Sequence, residues 1–156
     1  MIVIEAAGAK TALAASGLGK RDLNQFLATV KKELGLTGEF SVLLTGDERI
    51  RAMNLQFRAL DKPTDVLSFP SLAEAGMEAG GDLAISLETA SAQAEAHGHS
   101  LGIEVKVLIL HGMLHLAGYD HERDKGQMRR QENQLRKQLG LPAGLVERTA
   151  RKQARP

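Results

Sequence analysis

The chain of 156 residues is long enough for one hydrophobic core and too short for two of ordinary size. It contains no cysteine, which excludes disulfide bonds and leaves imidazole and carboxylate groups as the ligands for any transition metal. Residues 122–156 hold ten Lys or Arg against four Asp or Glu, net +6, whereas residues 1–121 hold ten against fifteen, net −5. A basic end fits a polyanionic partner, although a solvated helix followed by a loose tail has the same composition.

The apolar stretches are interrupted well before a membrane-spanning length, and the first residues have no positively charged lead-in. We therefore expect a cytoplasmic protein without a membrane partner. No segment has the composition of a linker, so a single domain is expected over residues 1–156. About residues 142–156 are interpreted as a basic tail that need not be ordered.

The first half of the chain alternates between strand and helix patterns. A short β-rich run predicts a strand over Ile2–Ile4. Apolar residues at helical spacing then predict a helix over residues 20–34, followed by a strand over Phe40–Thr45. A second helix is expected over residues 47–58, because its first two residues are acidic and oppose the helix dipole.

The second half of the chain contains the most apolar predicted helix. Residues 104–116 are apolar on nearly every side, which indicates a helix buried in the middle of the domain. The order of elements is not a strict alternation, so we predict an α+β fold with a small, mostly parallel four-stranded sheet and about five helices. The remaining strands are expected over residues 66–69 and 83–85, a mobile loop over 71–81, and the remaining helices over 87–96 and 122–139.

Three of the five histidines fall within HGMLHLAGYDH, residues 111–121. Helical residues four apart project from one face, so His111 and His115 can present nitrogen atoms to one metal ion. Gly118 is suited to end the helix and turn the chain back, which lets His121 supply a third ligand. Three protein ligands leave one tetrahedral position for water, as in catalytic zinc sites. The pattern predicts one Zn²⁺ per chain at the end of the buried central helix, with hydrolysis as its chemistry.

The same spacing occurs in the metzincin proteases, whose helix carries a glutamate directly after the first histidine as general base. Here Gly112 stands at that position and cannot carry a proton, which disfavours peptide hydrolysis. Asp120 is interpreted as a turn residue, with the orientation of a ligand imidazole as the alternative. His97 and His99 lie at a polar helix end and are interpreted as solvated surface residues.

Three segments of the chain together resemble one protein family. They are NLQFRALDKPTDVLSFP at residues 54–70, GDLAIS at 81–86 and HGMLHLAGYDH at 111–121. They resemble the YbeY family, bacterial single-domain metalloproteins regarded as endoribonucleases that mature ribosomal RNA. The third segment is the most specific, while the first nineteen residues and those after about residue 141 lie outside the resemblance.

The resemblance implies a zinc ion bound by His111, His115 and His121, beside a substrate groove lined in part by PTDVLSFP. Arg58 matches the family's arginine that faces the metal and is the candidate catalytic residue. An arginine at a helix end is by itself more often a solvated side chain. If Arg58 faces the zinc, its planar guanidinium suits a phosphate and the charge that builds on it.

The implied function is that of a single-strand-type zinc-dependent endoribonuclease in 16S rRNA 3′ end maturation and ribosome biogenesis. Its partners would be rRNA on the small ribosomal subunit, with ribosomal proteins or assembly factors. RNA supplies its own nucleophile, the 2′-hydroxyl, so this chemistry does not need the proton-carrying side chain that Gly112 lacks. Attack by a zinc-bound hydroxide is the alternative that the sequence leaves open. One Tyr and no Trp leave few stacking platforms, so phosphate contacts and RNA shape should dominate binding. The alternatives are a non-catalytic, zinc-stabilised ribosome-assembly or RNA-binding factor and a metal-dependent hydrolase of another substrate.

Overall fold

The computed structural model describes residues 1–5, 19–71, 79–142, 145, 146 and 148. These residues form four strands and five helices. In chain order they are β1 (Ile2–Ile4), α1 (Lys20–Glu33), β2 (Phe40–Thr45), α2 (Asp47–Arg58), β3 (Val66–Pro70), β4 (Gly81–Ser86), α3 (Leu87–His97), α4 (Leu101–Leu116) and α5 (Gln127–Gln138). Within these ranges no helix has the length and apolar character needed to cross a membrane.

The four strands form one sheet in the order β1-β2-β4-β3. Strands β1, β2 and β4 run parallel, and β3 pairs antiparallel with β4 at one edge. Residues 71–80 are too few for the crossover that a parallel pair needs, so β3 and β4 can only pair antiparallel. The predicted α+β class and mostly parallel sheet are confirmed.

The two faces of the sheet bury different helices. In β4, Leu83 and Ile85 point into the main core, whereas Ala84 between them points to a smaller cluster on the other face. This alternation follows from the two-residue period of a strand. The main core is filled by α1, α3, α4 and α5, and the smaller cluster is formed by α2 through Ile50 and Met53.

Helix α4 is the centre of the main core, as its composition predicted. It packs against α1, α3, α5, β3 and β4, and every residue from Val107 to Leu114 is buried. It begins at Leu101, three residues before the predicted start, because the Ser100 hydroxyl accepts a hydrogen bond from the Ile103 amide at 3.2 Å and caps the helix. Because α4 is enclosed on most sides, the residues at its C-terminal end, His111 and His115, are held in fixed positions.

Two other elements begin at a different residue from the predicted one. Strand β4 begins at Gly81 rather than at residue 83, because Gly81 pairs with both neighbouring strands. Most of the predicted loop over 71–81 lies outside the described residues. Helix α5 begins at Gln127 rather than at residue 122, because Gly126 is left-handed, with φ +95°, and the Asp124 carboxylate accepts hydrogen bonds from the amides of Gly126 and Met128.

A buried charged cluster at the start of α4 was not predicted. Glu104 accepts hydrogen bonds from both terminal nitrogens of Arg148, at 2.8 and 2.9 Å, and its Oε1 lies 2.6 Å from His99 Nε2. Burial alone would raise the pKa of Glu104, but the hydrogen bonds from Arg148 and His99 outweigh it and hold the pKa below its usual value. The interpretation of His99 as a solvated residue is therefore wrong, since only 11% of its side chain is exposed. His97 is exposed, as expected.

Four described residues, Pro142, Leu145, Val146 and Arg148, fall within the predicted tail. Leu145 and Val146 pack against the main core, and Arg148 pairs with Glu104. Residues 143, 144, 147 and 149–156 lie outside the described part of the chain. The single domain over residues 1–156 and the basic tail therefore stay predictions.

Candidate metal centre

The structure brings together the three histidines singled out in the sequence. One ring nitrogen from each of His111, His115 and His121 lies within 4.8 Å of the others. The Nε2 atoms of His111 and His115 are 3.2 Å apart. Two nitrogens that bind one tetrahedral zinc ion at about 2.0–2.1 Å are separated by roughly 3.3 Å, so this spacing fits such an ion.

The local chain geometry explains how the third histidine reaches the first two. After α4 ends at Leu116, Gly118 adopts φ +99° and the Tyr119 amide donates back to the Leu114 carbonyl at 3.0 Å. The Asp120 carboxylate then accepts a hydrogen bond from the Glu122 amide at 3.1 Å. Asp120 is thus the turn residue that was expected, and the turn places His121 beside the helix end.

The donor set fits a transition metal. His121 Nδ1 is buried and has no hydrogen-bond partner among the described residues. Burial, together with the proximity of His111 and His121, lowers the pKa of His115, which favours the neutral imidazole with a free lone pair. Three nitrogen donors suit zinc and similar ions, whereas Mg²⁺ and Ca²⁺ prefer oxygen ligands.

Sequence reasoning missed Glu132 on α5. Its side chain is 1% exposed, and its Oε2 lies 3.2 Å from His111 Nδ1. A signal was present in the sequence, because Met128, Glu132 and Leu135 share the i, i+4, i+7 spacing of a buried helix face. A carboxylate at such a position in an otherwise polar helix indicates a buried partner.

The three histidines line an open cleft with a volume of about 700 Å³. Its opposite wall is the outer strand β3 with the residues before it, as the resemblance implied for PTDVLSFP. Arg58, at the end of α2, also lines this cleft. It is exposed, and within the described chain its guanidinium makes no hydrogen bond or ion pair. A cation without a partner is therefore available to an anion in the cleft.

The cleft also has an aromatic wall, which the sequence did not lead us to expect. Phe57 is 59% exposed and packs edge to face on Phe69, with ring centroids 5.2 Å apart. Both rings line the cleft. The chain has only five aromatic residues in all, four Phe and one Tyr, so this concentration adds a stacking surface to the phosphate contacts that we expected to dominate.

Gly112 has a structural reason for being glycine. A Cβ atom at this position would lie 2.6 Å from Cδ2 of Leu83, which is buried in β4. A side chain at this position would therefore have to displace the buried Leu83 side chain or move α4 away from the sheet. The Ser68 hydroxyl donates to the Gly112 carbonyl at 3.4 Å and joins the helix to the cleft wall formed by β3.

Three converging imidazoles in an open cleft, with the exposed Arg58 on its wall, fit a hydrolase whose histidine group could hold a metal ion. The family model described as Endoribonuclease YbeY matches residues 11–140 of this chain. The chain therefore belongs to the YbeY endoribonuclease family, a family of hydrolytic nucleases, as the three sequence segments indicated.

Individual relatives agree with the family match. Endoribonuclease YbeY of Koribacter versatilis is 47% identical over 136 residues, which cover 87% of this chain and 88% of that protein. Endoribonuclease YbeY of Helicobacter pylori strain 26695 is 42% identical over 123 residues, covering 79% and 87% of the two chains. The solution structure of TM1509 from Thermotoga maritima is similar with a TM-score of 0.56 and 28% identity, over 86% of this chain and 85% of that one.

Proposed function

We propose that this protein is a zinc-dependent endoribonuclease of the single-strand type that acts in 16S rRNA 3′ end maturation. The observation that carries this proposal is the convergence of three histidines in one open cleft with Arg58, which has no partner among the described residues, in a chain of the YbeY endoribonuclease family. Three parts of the proposal follow from the resemblance in sequence. They are rRNA as the substrate, the small ribosomal subunit with its proteins or assembly factors as partners, and the cytoplasm as the location.

In this proposal His111, His115 and His121 are the zinc ligands. A bound zinc ion would supply Lewis acidity at a phosphoryl oxygen and would lower the pKa of a water ligand to about 7. Arg58 binds a non-bridging phosphate oxygen through its planar guanidinium and opposes the negative charge that grows there during cleavage. The aromatic wall of Phe57 and Phe69 contacts the bases of an unpaired strand.

Peptide hydrolysis is the less favoured alternative. Position 112 has no side chain that could exchange a proton with water or a leaving amine, and its close contact with Leu83 leaves no room for one. A non-catalytic RNA-binding factor would keep the histidine cluster without turnover. These two alternatives give different results in a single set of assays.

Purified protein is expected to contain about one zinc per chain by elemental analysis and to cut RNA that has unpaired segments, while leaving a casein peptide pool intact. Removal of the metal should abolish cleavage, and added zinc should restore it, with the circular dichroism spectrum unchanged. Cleavage that persists in metal-free protein would contradict the proposal. RNA binding without turnover would favour the non-catalytic factor, and peptide cleavage would favour the other hydrolase.

The basic tail is proposed to strengthen RNA binding without selecting the sequence. Replacing Arg151, Lys152 and Arg155 with Gln should flatten the dependence of RNA affinity on salt, because each lost phosphate contact lowers the slope by about 0.7 for single strands. The three residues lie outside the described part of the chain, and the buried pair of Arg148 with Glu104 is left intact. If the slope of RNA affinity against salt is unchanged, the tail is a solvated surface segment that does not contact RNA.

The matched control removes the same charge from exposed residues of α1. Lys20, Arg21 and Lys32 are exposed and do not line the cleft. Their replacement with Gln should leave the salt slope at the wild-type value. Equal flattening in both variants would mean that net charge, rather than the tail, governs the affinity.

A further inference from the structure

Two carboxylates are fully buried in the described part of the chain, and they differ in their partners. Glu104 is 0% exposed and is paired with the guanidinium of Arg148. Glu132 pairs with no lysine or arginine among the described residues. Its Oε2 lies 3.2 Å from His111 Nδ1, and its Oε1 accepts a hydrogen bond from the Val146 amide at 3.0 Å. A buried carboxylate without a cation is costly unless its partners compensate.

The contact with Glu132 favours one of the two tautomers of His111. A carboxylate accepts hydrogen bonds, so a proton on Nδ1, between the two side chains, satisfies the contact. In the neutral ring the other nitrogen, Nε2, is then unprotonated. It points to the interior of the histidine cluster, 3.2 Å from His115 Nε2. The ring is thus held in the form that can bind a metal.

The second oxygen of Glu132 ties this arrangement to the C-terminal segment. Val146 is buried in the main core, and Leu145 packs against the same core. The hydrogen bond from the Val146 amide fixes one carboxylate oxygen, and this leaves the other directed at His111. A segment that lies 25 residues beyond the last histidine therefore contributes to the orientation of the first.

We propose that Glu132 is a positioning residue of the metal centre, which holds His111 as the Nδ1-protonated tautomer and is itself held by the Val146 amide. The inference rests on the metal centre of the proposed function. Glu132 is not one of the three clustered histidines and does not line the cleft, so it acts through His111. Metal affinity therefore depends on how the C-terminal segment around Val146 packs against the core.

Glu132→Gln separates this role from simple packing, because the two side chains have nearly the same shape. If the Gln amide group faces His111, its N–H requires Nδ1 to be an acceptor, which moves the ring proton to Nε2 and blocks ligation. If the Gln oxygen faces His111 instead, the amide group meets the Val146 N–H, and two donors oppose each other. The first orientation therefore reverses the hydrogen bond to His111, and the second loses the hydrogen bond from Val146.

Zinc affinity of the full chain, measured by competition with a chromogenic chelator, is expected to fall about 10–100-fold in Glu132→Gln. The second variant is Glu104→Gln, which removes the other buried carboxylate and its pair with Arg148 in the C-terminal segment but leaves the contact of Glu132 with His111 intact. It should lower the melting temperature and reduce zinc affinity by less than Glu132→Gln does. Melting temperatures of the metal-free proteins show how much of each effect is general destabilisation.

A second measurement needs no metal. The ring ¹⁵N chemical shifts of His111 in metal-free wild-type protein should show the Nδ1-protonated tautomer, and those of Glu132→Gln should move toward the Nε2-protonated form. The opposite tautomer in the wild type would overturn the inference even if the variant failed to fold. Wild-type zinc affinity in Glu132→Gln, or an equal loss in both Gln variants, would overturn it as well. Failure of the wild type to bind zinc would instead overturn the proposed function.

Discussion

His111→Ala, His115→Ala and His121→Ala are each expected to lose zinc, from about one ion per chain to a small residual fraction. One nitrogen from each of the three rings lies within 4.8 Å of the others. A catalytic zinc site has three protein donors and a water, so each variant leaves one protein donor too few. Two imidazoles alone do not compete for zinc with a chelating buffer. Elemental analysis after gel filtration in such a buffer measures the loss.

The other two histidines are the controls for this experiment. His97→Ala should keep zinc and stability, because its side chain is exposed. His99→Ala should keep zinc but lower the melting temperature, because it removes one hydrogen bond to the buried carboxylate of Glu104. Full zinc retention in His121→Ala would show that the third ligand is wrongly assigned.

Arg58→Ala is expected to slow RNA cleavage by a factor on the order of 10²–10³ without loss of zinc. The guanidinium lines the cleft of the three histidines and has no partner among the described residues, so its removal breaks no contact of the fold. The lost interaction strengthens as negative charge accumulates on the phosphate in the transition state, and the effect should therefore fall on the cleavage rate more than on binding.

Arg58→Lys should recover only part of the rate, because a lysine keeps the charge and loses the bidentate geometry. The measurement is single-turnover cleavage by the wild type and both variants at matched zinc occupancy. Equal rates in all three would remove Arg58 from the site. Loss of zinc in Arg58→Ala would mean that this residue supports the fold around the histidines rather than the substrate.

The parts of the site that were predicted from the sequence are those whose geometry is local. The i, i+4 pair of His111 and His115 follows from helical spacing, and the return of the chain to His121 needs only the left-handed Gly118 and the Asp120 turn. The buried character of α4 was visible because its apolar residues occupy nearly every side. Arg58 could be placed at the cleft only through the resemblance, since nothing local to α2 indicates what its C-terminal end faces.

The parts that were missed depend on contacts between distant segments. Glu132 lies 21 residues from His111, and Arg148 lies 44 residues from Glu104. The pairing of Phe57 with Phe69 depends on how α2 packs on the sheet. The start of α5 was predicted five residues too early for a local reason. Asp124 and Gly126 favour a turn over a helix, even though charged helix-forming residues follow them.

The contact between Gly112 and Leu83 limits how far this scaffold could be redesigned toward proteolysis. Introducing the glutamate of a metzincin at position 112 would place its first side-chain carbon 2.6 Å from a buried leucine methyl group. The Leu83 side chain would then have to be displaced or exchanged for a smaller one, or helix α4 would have to move away from β4. Movement of the helix would shift His111 and His115 and disturb the ligand geometry, whereas a smaller residue at position 83 would remove buried packing from the main core. A peptidase built on this fold would need its proton carrier on a different element, such as the β3 wall of the cleft.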